Sequence, residues 1–309
     1  MSWIKYILFA GFFTTAVLAG MQVAVAQQDP LYTQYMNNLQ IINPGFAGSN
    51  ETGSVMLVAR NQWVSFDGAP TTRSLSFHSP VNAYNMGVGF SVLTDKIGPL
   101  TQTGFYFDYS YFLHLGEKYQ MGLGLKGGFN FYRAALADLQ TVSPDPIYSQ
   151  DIFKNFLPNF GVGAFVFSDN TYFGLSIPKL VENVINRNDY STEYISKEKI
   201  HYYLVAGKKF TTGGYTQIKA HSMLRVAPNA PVTFDVTAMF GLKEKFWVGG
   251  MYRLNDSYGL LTQFAIGKML IGYSYDLSFS ELNAFSSGTH EIMFSYNIDL
   301  FGQTKRKSD

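Results

Sequence analysis

The stretch "GFYFDYSYF", residues 104–112, alternates large aromatic residues with smaller or polar ones. Successive side chains of a β-strand point to opposite faces, so this stretch predicts a strand with two different faces. One face is aromatic throughout: Phe105, Phe107, Tyr109 and Tyr111. The other face includes polar groups: Tyr106, Asp108 and Ser110. This pattern favours a strand that faces hydrocarbon on one side and a polar interior on the other.

The same alternation recurs after residue 50, for example in "QMGLGLKGGFNFY" (120–132), "PVTFDVTAMF" (231–240) and "HEIMFSYNIDLF" (290–301). Alternating segments of about ten residues are typical of tilted membrane-spanning strands. The predicted segments are 52–60, 71–79, 84–95, 99–112, 119–132, 158–168, 171–177, 200–210, 215–226, 231–241, 245–254, 258–267, 269–278 and 288–300. We therefore predict an all-β protein, a transmembrane antiparallel up-and-down β-barrel of about 14 strands over residues 51–301.

The connections between the predicted segments alternate in length. Short ones cover residues 80–83, 113–118, 168–170, 211–214 and 242–244, and the long ones cover 61–70, 133–157, 178–199 and 279–287. Outer-membrane barrels have short periplasmic turns and longer outer loops. An even number of strands also leaves both chain ends in the periplasm, with residues 302–309 as a basic periplasmic tail.

The composition supports a membrane barrel. Hydrophobic residues make up 47% and aromatic residues 17%, while charged residues make up 15%, against about 25% in an ordinary soluble domain. In lipid every backbone polar group must be paired internally, which a closed sheet achieves. A soluble β-sandwich would bury the same alternating faces and is the alternative. The net charge of +1 argues against a nucleic-acid partner, and the absence of cysteine excludes disulfides and thiolate sites.

The N-terminus carries export signals. Residues 1–26 have Lys5, an apolar core and the A-x-A site Ala24-Val25-Ala26, which predicts a signal peptide cleaved after Ala26. Residues 27–50 then form a separate N-terminal segment, containing "DPLYTQYMNNLQIINPGFAGS" at 29–49. Helical spacing there relates Tyr32, Tyr35, Met36 and Leu39. We expect this face to pack at the periplasmic mouth or inside the lumen; a disordered leader is the alternative.

Several stretches resemble one known family. They are "QDPLYTQYMNNLQIINPGFAGS" (28–49), "RNQWVSFDGAPTTRSLSFHSP" (60–80), "GVGFSVLTDKIGPLTQTGFYFDYSYFLHL" (87–115), "MGLGLKGGFNFY" (121–132) and "FGLSIPKLVEN" (173–183). Together they resemble the PorP/SprF family of the type IX secretion system. The resemblance implies a non-enzymatic outer-membrane protein of Bacteroidetes that serves secreted surface proteins, including gliding adhesins. Its implied partners are the translocon, the periplasmic ring and a cargo with a cognate C-terminal domain.

No catalytic or cofactor site is predicted. Residues 122–127, "GLGLKG", match G-x-G-x-x-G but lie within one alternating strand, where glycines more often permit close approach of a neighbouring element. The five histidines show no metal-binding spacing. A barrel enzyme would need a Ser-His-acid set, and no signature singles one out. The alternative function is a general diffusion porin.

Charged residues at inward or strand-end positions are the candidate lumen groups. They are Arg60, Arg73, Asp108, Lys126, Lys219, Arg225, Asp235 and Arg253. Because a cation on the lipid face near the midplane costs about 2–4 kcal/mol, we expect these groups to point inward. They would either form ion pairs in a filled or narrow lumen or line a channel. A barrel of about fourteen strands, just below the sixteen of open porins, favours the filled or narrow lumen.

Residues 176–190, "SIPKLVENVINRNDY", are the candidate contact loop. They predict a short amphipathic helix in an outer loop. Its apolar residues would either pack over the barrel mouth or form a docking ledge for a surface protein: Leu180, Val181, Val184 and Ile185.

Overall fold

The computed structural model describes residues 29–81, 84–137, 151–186, 196–212, 215–279 and 285–299. In this part of the chain, fourteen strands form one closed antiparallel barrel and two short strands form a separate pair. The predicted signal peptide and basic tail lie outside the described residues. No helix in the described ranges is long and apolar enough to cross a membrane.

Sixteen strands are numbered in chain order. The first half of the barrel comprises β1 (Gly53–Asn61), β2 (Thr71–Val81), β3 (Met86–Ile97), β4 (Leu100–Leu115), β5 (Tyr119–Ala134), β6 (Ile152–Phe167) and β7 (Thr171–Ile177). The separate pair is β8 (Val184–Asn186) with β9 (Ser196–Lys197). The second half of the barrel comprises β10 (Tyr202–Thr211), β11 (Thr216–Val226), β12 (Thr233–Leu242), β13 (Phe246–Arg253), β14 (Ser257–Ile266), β15 (Met269–Ser278) and β16 (Thr289–Ile298).

The barrel closes between its first and last strands. β1 pairs antiparallel with β16, from Gly53 opposite Ile298 to Asn61 opposite His290. The other barrel strands pair with their neighbours in sequence, and β7 pairs with β10 across the intervening loop. Closure removes the two free edges of an open sheet, which a hydrocarbon environment disfavours. Residues 152–161 of β6 extend beyond β7 and pair with β5 alone among the described barrel strands. The predicted fourteen-stranded barrel is confirmed, and the sandwich alternative is excluded.

Along the strands, side chains alternate between the outer and the inner surface. On the outer surface Leu125 is 60% exposed and Leu260 is 67% exposed, whereas the inward Ser110 and Asp235 are fully buried. The apolar outer surface is suited to lipid. The inward side chains are buried because the N-terminal segment lies inside the barrel and packs against them.

One predicted loop has different bounds. Residues 133–157 were expected to be a loop, but β5 continues to Ala134 and β6 begins at Ile152. An irregularity between Asn130 and Tyr132 shifts the register, and Phe156 has a positive φ of 60°. Beyond this bulge the pairing resumes, with Arg133 opposite Phe153. A bulge absorbs an extra residue without ending a strand, so the strands extend past the predicted boundary.

The N-terminal segment lies inside the barrel as three short helical turns. Tyr35–Asn37 and Pro44–Phe46 are 3-10 turns, and α1 (Leu39–Ile42) lies between them. The Asn43 side chain accepts a hydrogen bond from the Gly45 amide at 2.9 Å, which caps the last turn. The turns at Tyr35–Asn37 and Leu39–Ile42 lie where the sequence has helical spacing, but Asn38 separates them with φ −127° and ψ 48°, so residues 32–39 do not form one helix.

Candidate functional site

Residues 29–49, here called the plug segment, run through the lumen from one end of the barrel to the other. Asp29 lies at the long-loop end, where its carboxylate Oδ1 is 2.6 Å from the Lys179 Nζ. Gly48 lies at the short-turn end, where its amide donates to His78 Nδ1 at 3.2 Å. The chain then enters β1. The plug segment thus spans the lumen before the first strand begins.

At the long-loop end, two cations and a histidine surround Asp29. Besides the Lys179 contact, His201 lies 3.6 Å from the carboxylate, and Arg225 donates to the Asp29 carbonyl at 2.8 Å. Burial tends to raise the pKa of Asp29, but Lys179, His201 and Arg225 bring this pKa below its ordinary value of 3.8. Burial tends to lower the pKa of Lys179, yet Asp29 holds it well above 10.5. Asp29 and Lys179 are therefore both charged near neutral pH.

Further along the plug segment, Glu291 accepts hydrogen bonds from two of its backbone amides. The Thr33 amide donates at 2.9 Å and the Gln34 amide at 2.8 Å. Arg60 balances the charge, with its Nη1 3.1 Å from Glu291 and 2.9 Å from Asp276. A buried carboxylate is tolerated when it is paired and hydrogen-bonded in this way. Strands β1, β15 and β16 together hold this end of the plug segment.

Midway along the lumen, Gln40 joins the plug segment to the opposite wall. Its side-chain amide donates to Asp108 at 3.0 Å and to the Phe77 carbonyl at 3.0 Å. Lys126 pairs with Asp108 at 2.8 Å and donates to the Gln40 carbonyl at 3.2 Å. The Asp108–Lys126 pair, on β4 and β5, therefore serves as a polar anchor for α1.

Near the short-turn end, glycines make room for the plug segment. A side chain on Gly124 would overlap the backbone of Pro44 and Gly45, and a side chain on Gly122 would overlap Gly45. Asn43 donates to the Ala164 carbonyl at 3.1 Å beside this contact. The first two glycines of the G-x-G-x-x-G match, Gly122 and Gly124, thus form a packing surface where two backbones approach closely.

Apolar contacts fill the remaining lumen. Tyr32, Tyr35, Met36 and Leu39 are buried, with exposures of 5%, 2%, 9% and 1%. They belong to one cluster with inward wall residues: Met56, Val58, Phe165, Tyr203, Val205, Met223, Met239, Trp247, Met251, Leu261 and Met293. Unbranched methionines adapt to irregular gaps, which suits a wall that closes on a non-repetitive segment. Two cavities bordering the plug segment hold about 30 Å³ each, room for a water molecule or so.

The remaining candidate lumen charges interact with other groups of the barrel wall. Arg253 forms two hydrogen bonds with Asp235, at 2.9 and 2.8 Å, between β13 and β12. The Lys219 ammonium lies 3.8 Å from the centre of the Trp247 ring. Arg73 is a correction, because it is exposed on the outer surface and donates to the carbonyls of Arg60 and Thr72. A strand-end arginine can reach the polar interface, so it need not point inward.

The predicted helix over residues 176–190 is wrong where the structure describes it. Residues 180–183 are irregular and Val184–Asn186 form β8. The Asn159 side chain accepts from the amides of Leu180 and Val181 at 3.0 Å each and donates to the Val181 carbonyl at 2.9 Å. These bonds replace the backbone pairing that a helix would need. Leu180, Val181 and Val184 are 37–39% exposed, and Ile185 is 2% exposed.

Glu198 was not among the candidate residues, yet it organises the same loop. Its carboxylate accepts from four side-chain amides: Gln102 at 3.0 Å, Asn130 at 2.9 Å, Asn159 at 3.3 Å and Asn183 at 2.7 Å. These donors come from β4, β5, β6 and the loop itself. Glu198 therefore ties the long β7–β10 connection to the barrel wall beside Asp29.

The fold and its filled lumen define a class: an integral β-barrel closed by its own N-terminal segment. Within that class, a model of the family described as type IX secretion system membrane protein PorP/SprF matches residues 24–296. The chain therefore belongs to that family. The fold and the family together support a location in the outer membrane. No curated protein matches the chain.

Solved outer-membrane proteins are among the structures similar to this chain. The CymD monoaromatic hydrocarbon channel is 11% identical with a TM-score of 0.49, covering 92% of this chain and 96% of that one. The toluene transporter TodX of P. putida is 9% identical with a TM-score of 0.48, covering 85% and 94%. Omp33 of Acinetobacter baumannii is 10% identical with a TM-score of 0.45, covering 80% and 98%.

Proposed function

We propose that this chain is a non-enzymatic component of the type IX secretion system that assists export or surface attachment of a cognate secreted protein. The family match over residues 24–296 is the observation that carries the proposal. Its partners are the translocon, the periplasmic ring and a cargo with a matching C-terminal domain, such as a gliding adhesin of a Bacteroidetes bacterium. The filled lumen supports this role over a general porin, since a closed barrel acts through surfaces that bind proteins.

We propose the long-loop end as the surface for the secreted protein. Outer-membrane barrels direct long loops outwards, and exposed loops on a rigid scaffold are frequent binding sites. Leu180, Val181 and Val184 form an exposed apolar ledge that Ile185 anchors from beneath. Asn159 and Glu198 fix the backbone of this ledge, so it can bind without first becoming ordered.

Affinity purification from detergent-solubilised outer membranes tests the proposal. The expected result is co-purification of a translocon component or a secreted surface protein with the wild-type chain. The double variant Leu180→Asp/Val181→Asp should lose the surface protein, while Glu182→Gln, in the same exposed stretch, should retain it. Recovery of the barrel alone, together with normal export in a deletion strain, would contradict the proposal.

We also propose that residues 1–26 are removed on export and that residues 302–309 face the periplasm. Sequencing of the mature N-terminus should then begin at Gln27. A protease added to intact cells should leave an epitope placed at residue 309 uncut, and should cut it once the outer membrane is permeabilised. An uncut leader, or cleavage in intact cells, would contradict these assignments.

A further inference from the structure

Three cations lie on the outer surface of the barrel, at the long-loop end of the sheet region formed by β2 to β5. They are Arg73 on β2, Lys96 on β3 and Arg133 on β5, and all three are exposed. None of them forms a salt bridge with a carboxylate in the described ranges. Arg133 lies over the outward ring of Phe153, 5.3 Å from its centre. These charges face the membrane or its interface rather than the lumen.

The strand register places the cations in neighbouring rows. Lys96 is opposite Thr101, and Thr101 is opposite Arg133, so two strand spacings, about 10 Å, separate the two cations. Arg73 is opposite Thr94, two residues from Lys96, which makes Arg73 and Lys96 diagonal neighbours about 8 Å apart. Side chains of this length can converge on one anionic group from these positions.

Rows of residues paired across neighbouring strands also show where the apolar outer surface of the barrel ends. The outward row next to Arg73 towards mid-barrel is apolar: Leu57, Leu75, Val92, Phe105 and Phe129. The row of Arg73 continues with Thr94 and Thr103, whose hydroxyls lie 3.2 Å apart, and with the exposed Phe131. The next row holds Lys96, Thr101, Arg133 and the exposed Phe153. Cations and hydroxyls therefore join aromatic rings in these two rows, a mixture typical of the membrane interface. Cations cost about 0–1 kcal/mol near the interface, against 2–4 kcal/mol at the midplane.

An open groove lies directly above these rows. It has a volume of about 860 Å³, and its lining includes Trp63, Phe66, Lys96, Thr101 and Arg133. The groove is shaped by the β1–β2 loop, in which Gly68 adopts a positive φ of 76° and accepts a hydrogen bond from the Gly98 amide. Asp67 is the acidic residue of this loop and is not part of the lining, and Asp95 on β3 faces inward to Thr72.

We infer that this rim binds the phosphorylated head group of an outer-leaflet glycolipid. The acyl chains lie along the wall of Leu75, Val92 and Phe105, the phosphate meets the cations, and the saccharide occupies the groove. The cations indicate a phosphorylated ligand, because arginine and lysine at a lipid interface pair with phosphate oxygens. The inference assumes that the long loops face outwards, as proposed above, and does not depend on the secretion role.

The test measures lipid binding by the purified full-length mature barrel in detergent, using native mass spectrometry. The probes are monophosphoryl lipid A, its dephosphorylated form, phosphatidylglycerol and inorganic phosphate. We expect lipid A to bind, and Lys96→Gln/Arg133→Gln to weaken it by about tenfold or more. The control Lys118→Gln/Lys268→Gln, with exposed cations at the short-turn end, should bind as the wild type does.

Each other outcome overturns the inference. Equal loss in the two double variants would indicate non-specific charge attraction, and equal binding of dephosphorylated lipid A would remove the role of phosphate. Comparable binding of phosphatidylglycerol or inorganic phosphate would assign the cations to another source of phosphate. Folding is checked by the heat-dependent gel shift of each variant. If the double variant fails that check, Arg73→Gln replaces it, with the same expected direction.

Discussion

At the residue scale, a few buried polar groups connect the plug segment to the barrel wall. Among them Arg60 pairs with two buried carboxylates, Asp276 and Glu291. Replacing it leaves two buried carboxylates without their cation. Removing one partner of a buried pair costs about 3–5 kcal/mol, more than the pair contributes relative to an apolar substitute.

We therefore expect Arg60→Met to destabilise the barrel by about 3–5 kcal/mol. The measurement is the temperature at which the folded band converts to the unfolded band on a gel. Arg73→Met is the matched control, one strand away and exposed, and should change stability by less than about 1 kcal/mol. Equal effects of the two substitutions would show that the inward network does not anchor the plug segment.

Gly124 provides a second test at this scale. Any side chain there would overlap the backbone at Pro44 and Gly45, which cannot move aside as a flexible side chain would. We expect Gly124→Ala to lower the conversion temperature and to make the plug segment more accessible to protease. Gly127→Ala is the control on the same strand, since its nearest neighbour would be a ring atom of Phe160 at 4.0 Å. Identical behaviour of both variants would contradict the packing described.

The sequence pattern predicted most of the inward charged residues, but it missed others that follow the same two-residue alternation along a strand. Glu291 alternates inward with Met293 and Ser295 on β16, so the strand pattern could have identified it. Gln40 and Asn43 could not be assigned in this way, because their partners lie far along the chain and depend on the path of the plug segment. Arg73 was misplaced because, at a strand end, a long cation is tolerated on either face.

At the element scale, the plug segment behaves as an internal part of the barrel, although it precedes every strand. Its side chains contribute to the same apolar cluster as wall residues on both halves of the barrel. Deleting residues 29–42 should therefore lower the heat resistance of the folded barrel, since cavities replace buried side chains such as Leu39. An unchanged conversion temperature would mean that the segment is not packed in the lumen.

The Asp29–Lys179 contact gives the end of the plug segment a defined pH range. The lowered pKa of Asp29 means that its contribution to stability is present above 3.8 and is lost as pH falls through the folded value. The raised pKa of Lys179 means that its contribution is present below 10.5 and is lost as pH rises through the folded value. The contact is thus intact from about pH 4 to pH 10.

The difference in conversion temperature between the wild type and Asp29→Asn isolates this contact. We expect a clear difference at pH 7 that shrinks as the pH falls through the lowered pKa of Asp29 and the wild-type carboxylate becomes protonated. Lys199→Gln, in the same loop, serves as the control and should show no such pH dependence. A difference that persists unchanged at low pH would contradict the role of the charged pair.

The strands could be predicted because the alternation of side chains is a local pattern. The conformation of the β7–β10 loop could not be predicted from its own residues. Residues 176–190 have helical spacing, but Asn159, on a neighbouring strand, hydrogen-bonds the backbone at Leu180 and Val181 and holds it irregular. The bulge near Phe156 likewise depends on pairing between β5 and β6. Such tertiary bonds override local propensity, and a single sequence carries no direct sign of them.

At the scale of the whole molecule, strand parity and loop lengths predicted the architecture, while the closed lumen depends on the path of residues 29–49. The plug segment begins at the long-loop end and leaves at the short-turn end, so it crosses the full height of the barrel. Two cavities beside it hold about 30 Å³ each. Among the described residues the plug segment occupies the lumen, so we expect the barrel to conduct solutes only after this segment leaves it.

Planar-bilayer recording of the full-length mature barrel shows whether the plug segment closes the lumen. The expected result is no steady conductance from the wild type and steady open channels from the variant that lacks residues 29–42. Steady, porin-sized conductance from the wild type would contradict a lumen closed by its own N-terminal segment.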